Sequence, residues 1–165
     1  MKKILVLGGT KYLGLEFIKL LNNAHYELFI ASRKKIKADN FIYIDRKSQV
    51  DLDKLFTENQ FDVIIDFINY SSSDSELLLS SIELQVKAPK LILISSTYTY
   101  TIPSEIKCDS IYTETDFRPI EHLKPVKDRS NCSYSEGKRN MESYCVQNYR
   151  TDKLVILRFP IILGS

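Results

Sequence analysis

Cysteine is too scarce and too scattered in this chain to organise a fold or a metal site. Cys108, Cys132 and Cys145 are odd in number, form no Cys-x-x-Cys pair and have only His25 and His122 as imidazole company. A disulfide framework and a zinc site are therefore excluded, and the thiols read as reduced and structurally inert. An excess of one charge is missing as well. With 23 basic and 21 acidic residues the net charge is +2, too weak a field to point to nucleic acid or an anionic membrane. No apolar run approaches the ~20 residues needed to cross a bilayer. Val63 to Ile68, broken by Asp66, and Leu91 to Ile94 are only strand-length, and Met1-Lys2-Lys3 leads into another such run rather than a signal peptide. A soluble, cytoplasmic protein is expected. Internal repeats, low-complexity tracts and interdomain linkers are also absent, and 165 residues suit one domain that buries roughly 70% of its unfolded surface.

What is present is alternation. Strand-like runs recur at Ile4 to Leu7, Leu28 to Ala31, Phe41 to Ile44, Val63 to Ile68, Leu91 to Ser95 and Leu154 to Phe159. Several are apolar at consecutive positions, as expected of strands covered on both faces. Helix-compatible segments lie between them at Tyr12 to Asn22, Leu52 to Asn59, Asp74 to Val86 and Tyr134 to Tyr149, the last three opening near residues able to cap. Parallel pairing with right-handed crossovers then predicts an α/β, doubly wound parallel sheet of the Rossmann type, in strand order 3-2-1-4-5-6. The segment from Thr97 to Ser133 breaks the rhythm with Pro103, Pro119 and Pro125, and reads as a functional lid or flexible loop.

The first strand breaks into Gly8-Gly9-Thr10-Lys11-Tyr12-Leu13-Gly14, followed by an amphipathic segment carrying Leu13, Phe17, Leu20 and Leu21. Small residues between a strand and a helix let the backbone approach a diphosphate, while the helix's free N–H groups and positive dipole end attract it. Gly8 and Gly9 serve the turn, and Gly14 the close packing of helix on strand. This motif resembles the amino-terminal signature of the extended short-chain dehydrogenase/reductase superfamily, in particular its NAD-dependent epimerase/dehydratase group, and the resemblance runs the whole chain. That group has three glycines at Gly-x-x-Gly-x-x-Gly spacing; here the middle position is Lys11. A basic residue there resembles an atypical subset that includes relatives of chloroplast RNA-binding proteins.

An acidic residue at the end of the second strand would bond the ribose 2′-hydroxyl of NAD. None is present. Ala31-Ser32-Arg33-Lys34-Lys35 offers a hydroxyl and three cations, with Lys11 facing the same region, so NADP is the expected cofactor and NAD the alternative. The resemblance implies that Asp45, after the third strand, contacts the adenine.

Tyr134-Ser135-Glu136-Gly137-Lys138 matches the Tyr-x-x-x-Lys pair with which the family moves protons. The same spacing occurs at Tyr43 with Lys47 and at Tyr149 with Lys153, so placement decides. Only Tyr134 and Lys138 open a long candidate helix between the fifth and sixth strands, where residues i and i+4 share a face. Upstream, Ser95-Ser96-Thr97-Tyr98-Thr99-Tyr100 is similar to the family's Ser-Ser-x-x-x-Tyr signature. This selects Ser96, with Ser95 and Thr97 as stand-ins, to orient a substrate oxygen. A phenol titrates near ~10, so acting as a base at neutrality takes ~4 kcal/mol. An exposed i,i+4 charge supplies only ~0.5 kcal/mol, so burial and the oxidised nicotinamide must provide the remainder.

The resemblance thus implies catalytic residues Ser96, Tyr134 and Lys138. The expected dinucleotide site comprises Gly8, Gly9, Thr10, Lys11, Tyr12, Leu13, Gly14, Ser32, Arg33 and Asp45, with no metal. Hydride transfer on an unknown substrate, a sugar nucleotide among the options, is the expected chemistry. A non-catalytic nucleotide-sensing or RNA-associated protein on the same fold is the alternative. Leu157-Arg158-Phe159-Pro160 resembles the family's Arg-Pro stretch leading to its substrate region, with Phe159 interposed. Residues 1–165 are therefore expected to form the nucleotide-binding domain alone, with the substrate domain largely absent. The resemblance also implies homodimers paired through the helices after the fourth and fifth strands.

Overall fold

The computed structural model describes residues 1–21, 25–100, 111–122 and 126–160. Six strands among these residues form one sheet: β1 (Lys2–Leu7), β2 (Tyr26–Ser32), β3 (Phe41–Tyr43), β4 (Val63–Asp66), β5 (Lys90–Ser96) and β6 (Leu154–Phe159). Their order is β3-β2-β1-β4-β5-β6, and every neighbouring pair is parallel, as the sequence pattern predicts. The order reverses between β1 and β4, where ligands of such sheets bind beyond the carboxyl ends of the strands.

Among the described residues four α-helices connect them: α1 (Tyr12–Leu20), α2 (Gln49–Glu58), α3 (Ser72–Ile82) and α4 (Tyr134–Asn148). Three begin at a serine. The side chains of Ser48, Ser71 and Ser133 accept hydrogen bonds from the backbone N–H groups of Asp51, Asp74 and Glu136, filling orphan donors of the first turn. These caps correct two expected starts, because α2 and α3 open before Leu52 and Asp74. At the other end, α3 stops at Ile82, and Val86 is left exposed. The fourth strand stops at Asp66 instead of Ile68, where the carboxylate accepts the Ile68 N–H and turns the chain.

The two faces of the sheet are unequally covered. On one, Leu5, Leu7, Phe29, Ile64, Leu91 and Leu93 pack against apolar side chains of α2, α3 and α4. On the other, Ile4, Val6 and Ile65 meet Phe17 and Ile18 of α1, the only α-helix on that face among the described residues. The expected loop from Thr97 to Ser133 holds four 3₁₀ turns in its described parts, at Thr97–Tyr100, Glu114–Asp116, Pro119–Glu121 and Arg129–Asn131. Arg158 of β6 anchors it, donating to the Tyr100 hydroxyl and to the carbonyls of Glu114 and Phe117 while paired with the buried Glu142 at 2.7 Å.

Candidate functional site

The glycine turn sits at the topological switch point, with Gly8 and Gly9 at φ +85° and +65°. A Cβ on Gly14 would lie 2.4 Å from the Gly9 Cα, so the first turn of α1 touches the strand exit as the sequence predicts. Ile68 closes over Gly8, 2.6 Å from where a Cβ would stand. Lys11 has extended backbone at φ −145°, so the missing middle glycine was not required for conformation; the left-handed position is Tyr12, at φ 47° and 84% exposed.

One contrast marks this helix start. Lys11, the N-cap of α1, provides no side-chain hydrogen bond, and the first turn holds no acidic residue. The other three α-helices have both a serine cap and an acid in that turn. No side chain therefore caps the start of α1, where the Gly14 N–H donates to the Lys11 carbonyl at 3.2 Å, and an uncapped helix start suits the diphosphate of a dinucleotide.

At the end of β2, Ser32 is buried and its hydroxyl donates to the Lys34 carbonyl at 2.7 Å. Arg33 is 71% exposed in its side chain, 3.8 Å from Asp45. Asp45 also accepts the Lys47 N–H, and its own N–H donates to Asp51. Ser32, Arg33 and Asp45 therefore form one edge beside the glycine turn, although the Ser32 proton is already committed.

Around α4 the expected catalytic residues occupy distinct environments. Lys138 is 2% exposed, and its amine donates to the carbonyls of Asn69 at 2.7 Å and Ile94 at 2.8 Å. It lies 4.7 Å from the Tyr70 ring centre and 6.0 Å from that of Tyr134. Burial lowers its pKa to about 8 against the support of Asp66. Tyr134 is 44% exposed, edge-on to Tyr98 at 6.0 Å and tilted against Tyr70 at 6.3 Å. This chain therefore buries the lysine of the pair and leaves the phenol partly open.

Ser96 accepts the Tyr98 N–H at 3.2 Å through its hydroxyl oxygen, two residues beyond the carbonyl that receives Lys138. Ser95 instead donates to Glu142 within the Arg158 cluster, a structural position. The two rival Tyr-x-x-x-Lys pairs lie elsewhere: Tyr43 is exposed at the end of β3, and Tyr149 donates to the Pro89 carbonyl.

Sequence reasoning missed three neighbours of this site. Tyr70 is wedged between Tyr134 and the Arg129 guanidinium, 4.3 Å from its ring centre. Burial pushes the Tyr70 phenol up. Arg46 and Asp66 form an interior ion pair at 3.0 Å. The only visible signal for either was Asp66 interrupting an apolar run. Of the cysteines, Cys132 and Cys145 are free, burial raises both thiols, and Cys108 falls outside the described residues. No group of three or more metal-ligating side chains occurs among the described residues, and no helix there is long and apolar enough to cross a membrane.

Comparison with known proteins agrees with this fold. The chain is 24% identical to a UDP-glucose 4-epimerase of Arabidopsis thaliana in an alignment of 199 residues covering 99% of this chain and 53% of the relative. A crystal structure of UDP-glucose 4-epimerase superposes with a TM-score of 0.73 at 20% identity, over 99% of this chain and 53% of that one. A dTDP-glucose 4,6-dehydratase from Bacillus anthracis, solved in complex with NAD, gives 0.70 at 17% identity, over 96% and 54%. At these identities the solved structures speak for the fold alone. The chain spans about half the length of the relatives it matches. The family model of NAD-dependent epimerases and dehydratases matches residues 4–165, and the chain belongs to that family.

Proposed function

We propose that residues 1–165 are the cofactor-binding part of an NADP-preferring epimerase, dehydratase or reductase, with Ser96, Tyr134 and Lys138 as its proton machinery. The observation that carries this reading is the Lys138 ammonium, held in the interior at the foot of Tyr134 by two backbone carbonyls, Asn69 after β4 and Ile94 near the carboxyl end of β5. The stretch from Gly8 to Gly14, ending in a helix start that no side chain caps, supplies the adjoining dinucleotide site, which the family relationship supports.

When bound, the nicotinamide supplies a hydride acceptor and donor at its C4. The chain's own residues bind, orient and move protons. Ser96 keeps its hydroxyl proton available while its oxygen accepts the Tyr98 N–H, so it orients a substrate oxygen by donating to it. Tyr134 exchanges a proton with that oxygen through its phenol. Lys138 places a positive charge beneath the ring, worth more there than at the surface because the site is desolvated. Tyr134 is still 44% exposed, so covering it falls to cofactor and substrate, and full activity calls for a substrate-binding portion like that of the longer relatives. Their names make a sugar nucleotide the first substrate class to try.

NADP preference rests on the exposed Arg33 and on Lys11, with no carboxylate at the end of β2 to receive a 2′-hydroxyl. NADPH is expected to bind at least tenfold tighter than NADH in fluorescence titrations; equal or tighter NADH binding rejects the preference. Tyr134→Phe is expected to abolish turnover in a pooled sugar-nucleotide assay that follows nicotinamide absorbance, with cofactor affinity changed less than twofold. Turnover retained by this variant removes Tyr134 from the mechanism.

A further inference from the structure

We propose that the interior Arg46–Asp66 pair is a positioning device for Lys138, linking the loop after β3 to the amine beneath Tyr134. The inference rests on the reading that Lys138 belongs to the proton machinery.

Arg46 and Asp66 are 7% and 0% exposed. Arg46 Nη1 donates to Asp66 Oδ1 at 3.2 Å, Nη2 lies 3.0 Å from Oδ2, and Nη2 also donates to the Asp74 carbonyl. Arg46 Nε has no hydrogen-bond partner among the described residues. Desolvating two charges costs several kcal/mol each, and an apolar pair of similar volume commonly serves stability as well or better. Stability alone therefore does not account for the pair, and its surroundings suggest another role.

Asp66 ends β4, and its Oδ1 accepts the Ile68 N–H at 2.9 Å, fixing the turn. The next residue, Asn69, supplies the carbonyl that receives Lys138 at 2.7 Å, while its side chain accepts from Ser75. Tyr70 follows, its N–H held by Asp74 and its ring 4.7 Å from the Lys138 amine. The Asp66 carboxylate thus orients both an acceptor and an aromatic neighbour of Lys138. Among the described residues the amine's hydrogen bonds go to carbonyls and not to a carboxylate. Of the surrounding charges, Asp66 on β4, Asp74 on α3 and Glu142 on α4 favour the ammonium, with Asp66 the largest, and Arg46 opposes it. The Tyr70 and Tyr134 rings complete the surroundings. Arg46 also directly follows Asp45, the proposed adenine contact, so one short path joins the two ends of the dinucleotide site.

Asp66→Asn keeps the shape and the acceptor for Ile68 and deletes the charge. In NMR titrations of ¹³C-labelled lysine, with Lys138 assigned by substitution, its midpoint is expected to fall by at least half a pH unit from wild type. The double variant Arg46→Met, Asp66→Leu removes both charges at similar volume and guards against a misfolded single variant. It is expected to fold with a Tm no lower than wild type and to lose at least tenfold of the hydrogen-exchange protection at the Ile68 amide. An unchanged Lys138 midpoint in Asp66→Asn, or wild-type protection at Ile68 in the double variant, overturns the proposal. Both readouts are made without substrate, so a lack of turnover would count against the proposed activity and leave this test intact.

Discussion

At Gly137 two consequences of one added methyl group oppose each other. An alanine inside a helix is favoured over glycine by about 1 kcal/mol. A Cβ there would lie 2.4 Å from the Tyr70 carbonyl oxygen, which is backbone and has no rotamer to escape into. Forced overpacking of this kind costs about 1–3 kcal/mol, so the clash outweighs the helical gain. Gly137→Ala is therefore expected to destabilise the protein by about 1 kcal/mol net in urea unfolding, and to separate α4 from the turn after β4, where Lys138 finds its acceptor. A neutral or stabilising result would mean that α4 is free to shift away from Tyr70. The same residue scale separates Ser95 from Ser96: adjacent hydroxyls on one strand face opposite ways, one into the Glu142–Arg158 cluster and one toward Tyr98.

Elements were legible where one physical signal dominated. The β6 run from Leu154 to Phe159 is bounded as its apolar residues are, and the parallel order follows from alternation and handedness. Helix starts shifted because periodicity marks the first apolar contact, whereas a helix begins at its cap; Ser48 precedes Leu52 by one turn. The glycine turn was readable because its requirements are local, a tight turn and a helix touching a strand. The interior of α4 was not. It buries Lys138, Arg139, Asn140, Glu142 and Ser143, polar side chains that no apolar periodicity marks as interior. Asp66 stood out as a polar break in an apolar run, yet its partner Arg46 lies 20 residues earlier, and no local pattern pairs them. Tyr70 escaped notice because its role depends on α4 and the Arg129 turn meeting over it, a matter of tertiary placement.

Across the whole molecule, buried ionisable groups set an alkaline stability profile. Burial lowers Lys138 from its ordinary 10.5 to about 8, so between these values the unfolded chain binds the proton more readily than the folded one. Stability must then rise with pH across that window, by at most about 3 kcal/mol from this group. Cys145 acts in the opposite sense. Its burial raises the thiol from 9.0 to about 12, so the unfolded chain deprotonates first and stability is lost as pH climbs through 9 toward 12. Tyr149, raised from 10.0 to about 12 but only half buried, adds a weaker loss above pH 10. Tyr70 and Tyr144, also raised by burial, act in the same direction. The sum predicts stability that increases from about pH 8 to about pH 9 and declines beyond. Urea unfolding at half-unit steps from pH 7 to 10.5 would trace this rise and fall. In Lys138→Met the rising limb should vanish, leaving stability that only declines above about pH 8, since the cysteine and tyrosine contributions remain. In Cys145→Ala the maximum should move upward, toward pH 10, where tyrosine ionisation takes over. A wild-type curve that falls steadily from pH 8, indistinguishable in shape from that of Lys138→Met, would show that the Lys138 amine is solvated and would remove the buried charge on which the proposed site depends.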